Sequence, residues 1–180
     1  MTRKEVYNAF IALCVMIALS LVVSLFKVVQ NANEAPITAS INDTTIVSRM
    51  YNVFSTLDSI GNNTISDEKV REVLVWCGVQ HPHIIYAQMR LESANFTSVL
   101  CKSNNNYFGM KDAYKRPTFS IGAKNGYATY RNWVYSILDY AMWQKHYAND
   151  LSEEEYLNRL KTYATDKNYI EKVKKIAKSF

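Results

Sequence analysis

From Val6 to Phe26 the chain carries no charged residue, and Ile, Leu, Val, Ala and Phe dominate. As a helix this run would reach about 31 Å, the thickness of a bilayer core. It reads as a transmembrane segment or an uncleaved signal anchor. A cleavable leader has a shorter apolar region, about 7–15 residues, and a small-x-small site. Here the run is longer, and Ala32-Asn33-Glu34-Ala35 is a poor site. Arg3 and Lys4 precede the segment and Lys27 alone follows closely, so the positive-inside rule puts the amino terminus in the cytoplasm. Residues 1–29 then form the anchor, and the small polar residues 30–43 form a linker. Residues 44–180 are left as one domain outside the cytoplasm.

Within that domain the apolar spacing is mostly helical. Ile46, Met50, Val53, Phe54 and Leu57 make one stripe, stopped by Gly61. Ser66 opens a second helix through Trp76, with Val70, Val73 and Leu74 inward. Pro82 suits the first turn of a third, over 82–94, carrying Ile84, Ile85, Met89 and Leu91. Helical spacing then fails, and the chain turns Asn- and Ser-rich up to Asn106-Tyr107-Phe108-Gly109. Asn125-Gly126 signals a type I′ turn and predicts a hairpin pairing 118–121 with 127–130. A long helix is expected over 132–147, with Trp133, Ile137, Tyr140, Ala141 and Gln144 near helical spacing. Ser152 with Glu155 makes a capping box for a helix over 153–163. Asp166 is a good N-cap for a last helix over 167–178. The expected fold is mainly α, with one small β-hairpin after an amino-terminal membrane helix.

Composition excludes several functions. The net charge is +5, and Lys172, Lys174, Lys175 and Lys178 supply much of it as a solvated face of the last helix. Basic residues and aromatics are not interleaved as a nucleic-acid surface requires. His81-Pro82-His83 is the only close His pair, and its proline suits a helix start better than a metal site. No metal or cofactor is expected. Cys14 falls in the apolar run. Cys77 and Cys101 share the exported domain, where a bridge is permitted but their separation is not readable.

Glu92 stands out. It sits in the last turn of an apolar helix, at the negative end of the macrodipole. Burial against Phe96 or Phe108 would disfavour its charge further. Both effects raise its pKa, as a general acid needs near neutral pH. Taken alone, it also reads as an ordinary exposed glutamate at a frayed helix end.

Its surroundings decide between these. AQMRLES (87–93), NNYFGMK (105–111), GYATYRNW (126–133), LDYAMWQ (138–144) and YATDKNY (163–169) occur in an order and spacing that resemble glycoside hydrolase family 73. These are peptidoglycan N-acetylglucosaminidases of bacteria and phages, in the lysozyme-like superfamily. The resemblance covers residues 70–178. It implies a lysozyme-like α+β fold, peptidoglycan glycan strands as partner, and Glu92 as the general acid. It implies Tyr163 in the cleft, where its phenol would orient an acetamido group. It further implies Asn106 and Phe108 on the cleft floor, and the hairpin, with Tyr130, as a wall. Many family members carry an acidic residue in or near the hairpin, whereas this chain has none between Pro117 and Tyr130. Asp112 is the nearest. Without a second carboxylate, the substrate's own N-acetyl oxygen would attack, or the muramyl 6-hydroxyl would, as in a lytic transglycosylase. A phage endolysin and an inactive wall-binding module are the remaining readings.

Overall fold

The computed structural model describes residues 44–164 and 166–180. The expected membrane segment, its anchor 1–29 and the linker 30–43 lie outside the described residues. Among the described residues no helix is long and apolar enough to cross a membrane. The chain separates into two units, Met1–Ile60 and Gly61–Phe180. Helix α1 (Thr44–Gly61) belongs to the first in all but its last residue. Along it Leu57 is buried, and Met50, Val53 and Phe54 are partly covered.

The second unit carries every other element. Helix α2 (Asp67–Trp76) starts where the Ser66 side chain accepts from Lys69 N–H, with Asp67 and Glu68 complementing the positive helix end. Helix α3 (Pro82–Glu92) follows. Its residues Ile84 to Met89 are all buried, as expected of a helix covered on every side. It packs against α2 and against the last helix. Helix α4 (Val99–Asn104), strands β1 (Gly122–Lys124) and β2 (Tyr127–Thr129), and helices α5 (Trp133–Tyr147), α6 (Glu153–Leu160) and α7 (Tyr169–Ala177) complete it. Helix α5 is also central, buried continuously from Trp133 to Tyr140.

Several boundaries differ from those expected. Helix α3 ends at Glu92 rather than Ala94, because Ala94, Asn95 and Phe96 take φ of 50°, 55° and 66°. The first hairpin strand is 122–124, not 118–121. The two-residue Asn125-Gly126 turn pairs Lys124 with Tyr127 and Gly122 with Thr129, so register carries 119 and 118 past the ladder. Asn168, not Asp166, is the N-cap of α7; Asp166 lies two residues before it, and its carboxylate accepts from Asn168 N–H at 2.8 Å. The Ser152–Glu155 capping box forms as expected. Cys77 and Cys101 are buried free thiols. Burial pushes the Cys77 thiol up to about 12, so it stays protonated and unreactive.

Candidate active site

Glu92 is the last residue of α3, and the chain reverses at once behind it. Three successive left-handed residues cost about 1–2 kcal/mol each. Ser93 offsets this locally. Its hydroxyl donates to Met89 O at 2.6 Å and accepts from Phe96 N–H at 2.9 Å. Its carbonyl accepts from both Thr97 and Ser98 N–H at 2.9 Å. Arg90 Nε adds a hydrogen bond to Asn95 Oδ1. The Glu-Ser pair is therefore a mechanical unit: the serine fixes the turn that leaves the glutamate at an open helix end.

The asparagine run fastens the opposite wall. Asn104 Nδ2 donates to Lys124 O at 3.1 Å, and Asn105 Nδ2 to Tyr130 O at 3.0 Å. Asn106 Nδ2 donates to Met110 O at 2.8 Å and Ala128 O at 2.9 Å, while its Oδ1 accepts from Met110 N–H. These amides join the 104–110 segment to the hairpin. Asn106 is thus a buried clamp and is not among the cleft-lining residues. Phe108 is buried and stacks on Tyr140 with ring centres 4.2 Å apart, and it borders the cleft. Gly109 has φ +65°, and a Cβ there would stand 3.7 Å from Glu92 Oε2. Space permits that atom, but the left-handed backbone favours glycine.

Between these walls lies a cleft of about 830 Å³, lined by Glu92, the segment Phe108–Arg116, Tyr127, Trp143, Tyr147, Arg159 and Tyr163. Glu92 is partly buried in it, and Tyr169 donates to its Oε1 at 2.7 Å. Desolvation raises the Glu92 pKa, and the Tyr169 hydrogen bond opposes part of that rise. The net direction favours a retained proton, the direction expected from the sequence, and its cause is desolvation.

The expected neighbours divide. Tyr163 lines the cleft, but its hydroxyl donates to Phe108 O at 2.5 Å and approaches Met110 Sδ. Burial pushes its pKa far above the usual phenol range, so its proton is held by the wall. Asp112 is exposed on the cleft lining. Tyr130 does not line it: 1% exposed, it donates to Asp139 Oδ2 at 2.8 Å. The hairpin reaches the cleft through Tyr127 instead, with Lys111 Nζ 3.6 Å from that ring's centre. Among the described residues no group of three His, Cys, Asp or Glu is arranged to hold a metal ion. His81 and His83 face different partners, Leu151 O and Glu153.

Two residues of the site escaped the sequence reading. Tyr169 closes YATDKNY, six residues after the tyrosine singled out, and enters on the first turn of α7. Asp139, inside LDYAMWQ, is fully buried and takes Arg116 through both oxygens at 3.0 and 2.8 Å. It also accepts from Thr118 Oγ1 at 2.6 Å, Phe119 N–H at 3.0 Å and Tyr130. Burial alone would raise its pKa, but Arg116 with these donors holds the carboxyl below its ordinary value. Asp139 is therefore a saturated anchor for the far end of the cleft segment and has no lone pair to offer a substrate.

Compared with known proteins, residues 68–180 match a family described as mannosyl-glycoprotein endo-beta-N-acetylglucosaminidase. The catalytic domain of the autolysin Auto from Listeria monocytogenes is similar at 21% identity, over 83% of this chain and 92% of that one, with a TM-score of 0.41. No curated protein matches the chain. The family match spans every residue of the cleft.

Proposed function

From a chain that belongs to the mannosyl-glycoprotein endo-beta-N-acetylglucosaminidase family, and is a glycoside hydrolase, we propose a peptidoglycan hydrolase that cuts the β-1,4 bond on the N-acetylglucosamine side, with Glu92 as general acid. The observation that carries this reading is Glu92 itself: a partly desolvated carboxyl on the wall of a glycan-sized cleft, its pKa raised, its Oε2 toward Gly109. Such a group can protonate the leaving oxygen, the step that glycoside cleavage requires. Charge supports peptidoglycan over a neutral glycan. Lys111, Lys115 and Arg159 are exposed on the cleft lining, and Arg116 is neutralised by Asp139. Against them stand only Asp112 and the proton-retaining Glu92. A cationic cleft attracts the carboxylates of muramyl groups and stem peptides.

The carboxylates on the cleft lining are Glu92 and Asp112. Asp139 is unavailable and the hairpin offers no carboxylate, so we take the substrate's N-acetyl oxygen as the nucleophile, with Asp112 as the alternative. Digestion of purified peptidoglycan, read by mass spectrometry, should yield fragments with reducing-end N-acetylglucosamine. Fragments ending in 1,6-anhydro-N-acetylmuramic acid would replace this reading with a lytic transglycosylase. The preference for peptidoglycan over neutral chitin oligomers should be about tenfold at low salt and shrink as salt rises; a salt-independent ratio would remove the electrostatic argument.

We place the catalytic domain outside the cytoplasm, tethered by the 6–26 segment with its amino terminus inside. The charge bias around that segment supports this orientation. A carboxyl-terminal reporter that works only outside the cytoplasm should be active, and activity of one that works only inside would reverse the topology.

A further inference from the structure

Gln88 lies one turn before Glu92 on the same face of α3, and it is fully buried. Its amide nitrogen is 3.4 Å from the Tyr169 hydroxyl, the same hydroxyl that donates to Glu92. Its amide oxygen accepts from Tyr140 at 2.7 Å, with Tyr156 at 3.4 Å. The Tyr140 and Tyr156 hydroxyls are 2.7 Å apart. The far end of the chain is pinned to the backbone. Gln144 Oε1 accepts from Gln80 N–H, and Gln144 Nε2 donates to Gln80 O, both at 2.9 Å. Gln144 also hydrogen-bonds the Tyr156 hydroxyl.

An amide held by both polar groups of one residue has no freedom to flip. Gln144 therefore presents its N–H to Tyr156. The Tyr140 and Tyr156 hydroxyls carry two hydrogens and use one between themselves, so the other goes to Gln88 Oε1. That leaves Gln88 Nε2 as the group facing Tyr169. An amide turned the other way would accept the Tyr169 hydrogen and take it from Glu92.

We propose that Gln88 is a positioning residue: its amide fixes the direction of this hydrogen-bond chain, so that Tyr169 donates to Glu92 Oε1 and the transferable proton rides on Oε2, the oxygen beside Gly109. This rests on the reading of Glu92 as general acid. Hydrogen bonds in such a chain polarise one another, so donation by Gln88 strengthens the bond from Tyr169 to Glu92. The other groups facing Glu92 are Tyr163, whose hydrogen goes to Phe108 O, and the cleft charges Lys111, Asp112, Lys115 and Arg159. None of these hydrogen-bonds to the buried chain, and Tyr163 meets it through its ring, stacked with centres 6.3 Å from that of Tyr169, so Tyr140 and Gln88 can be changed without removing any of them.

The test is the pH dependence of turnover in Gln88→Met and, separately, Tyr140→Phe. Gln88→Met removes both polar ends at similar volume. Tyr140→Phe removes one oxygen and frees the Gln88 amide to turn. In both, the Glu92 carboxylate receives a weaker hydrogen bond or none. The basic limb of the kcat profile should move upward by about half a unit or more. Turnover at the optimum should fall about tenfold with KM within about twofold, because the proton is no longer confined to the cleft-facing oxygen. Tyr169→Phe should shift the limb the same way, and adding Gln88→Met to it should cost nothing further. Folded variants whose limb stays at the wild-type pH overturn the proposal. Should Gln88→Met fail to fold, Tyr140→Phe decides alone. If Glu92→Gln is dead and neither variant shifts the limb, the chain fails while the acid stands. If Glu92→Gln retains activity, the reading of the acid has failed instead.

Discussion

Glu92→Gln is expected to lose about 10²–10⁴-fold in turnover on peptidoglycan while the domain becomes no less stable, and at neutral pH more so. The amide keeps the shape and can still accept from Tyr169, but it has no proton to give the leaving oxygen. The stability gain follows from the same burial that suits Glu92 to catalysis. Its folded pKa is raised, chiefly by desolvation. The neutral carboxyl is therefore favoured by folding at low pH, and that benefit is lost as pH rises through the raised folded value. The amide has no such dependence. Thermal melts of the two proteins should coincide below about pH 4 and separate above it, with Glu92→Gln melting higher. Equal activity would end the assignment of the acid, and a lower melting point at neutral pH would show that Glu92 is not held against its charged form. Asp112→Asn should cost less activity than Glu92→Gln. An equally dead but folded Asp112 variant would restore a two-carboxylate mechanism.

Asp139→Asn is expected to have the largest effect on stability. Arg116 is 7% exposed and Asp139 not at all, and they meet in a bidentate pair. Removing one partner of a buried pair costs about 3–5 kcal/mol, because the other charge stays buried without compensation. For a domain of this size that is roughly a 10–20 °C fall in melting temperature. The damage should reach function, because Asp139 also holds Thr118 and Phe119 and so fixes the end of the cleft segment. The pH dependence has the opposite sense to that of Glu92. The folded pKa of Asp139 is depressed, so its contribution is present above the unfolded value, about 3.9, and is lost as pH falls through the depressed one. The gap between wild type and variant should therefore narrow only in acid. Replacing both partners with apolar residues removes the uncompensated charge but still strands the Thr118, Phe119 and Tyr130 donors, so it should recover only part of the loss. A loss under about 1 kcal/mol in Asp139→Asn would show that the pair is not the anchor described.

By itself the sequence determined what rests on neighbours a few residues apart. Apolar spacing within a turn or two marked α1, α2, α3 and α5, cap residues marked α6 and α7, and the six-residue α4 went unmarked. The Ser152–Glu155 box and the Asn125-Gly126 turn were legible because their hydrogen bonds close over two or three residues. Glu92 was legible for the same reason: helical spacing stops behind it, and a carboxyl at that end of an apolar helix is disfavoured as a charge. Tertiary structure decided the rest through bonds with no local trace. Tyr169 reaches Glu92 across 77 positions and Tyr140 reaches Gln88 across 52. Asn106, read as a cleft residue, spends its amide across 22 positions on the hairpin backbone. Tyr130 turns inward because Asp139, nine residues on, needs its hydroxyl. A side chain's type says which bonds it can make, but only packing says which partner is near enough to take them. Whether a polar group near the cleft meets substrate or fastens the wall is therefore set by the fold.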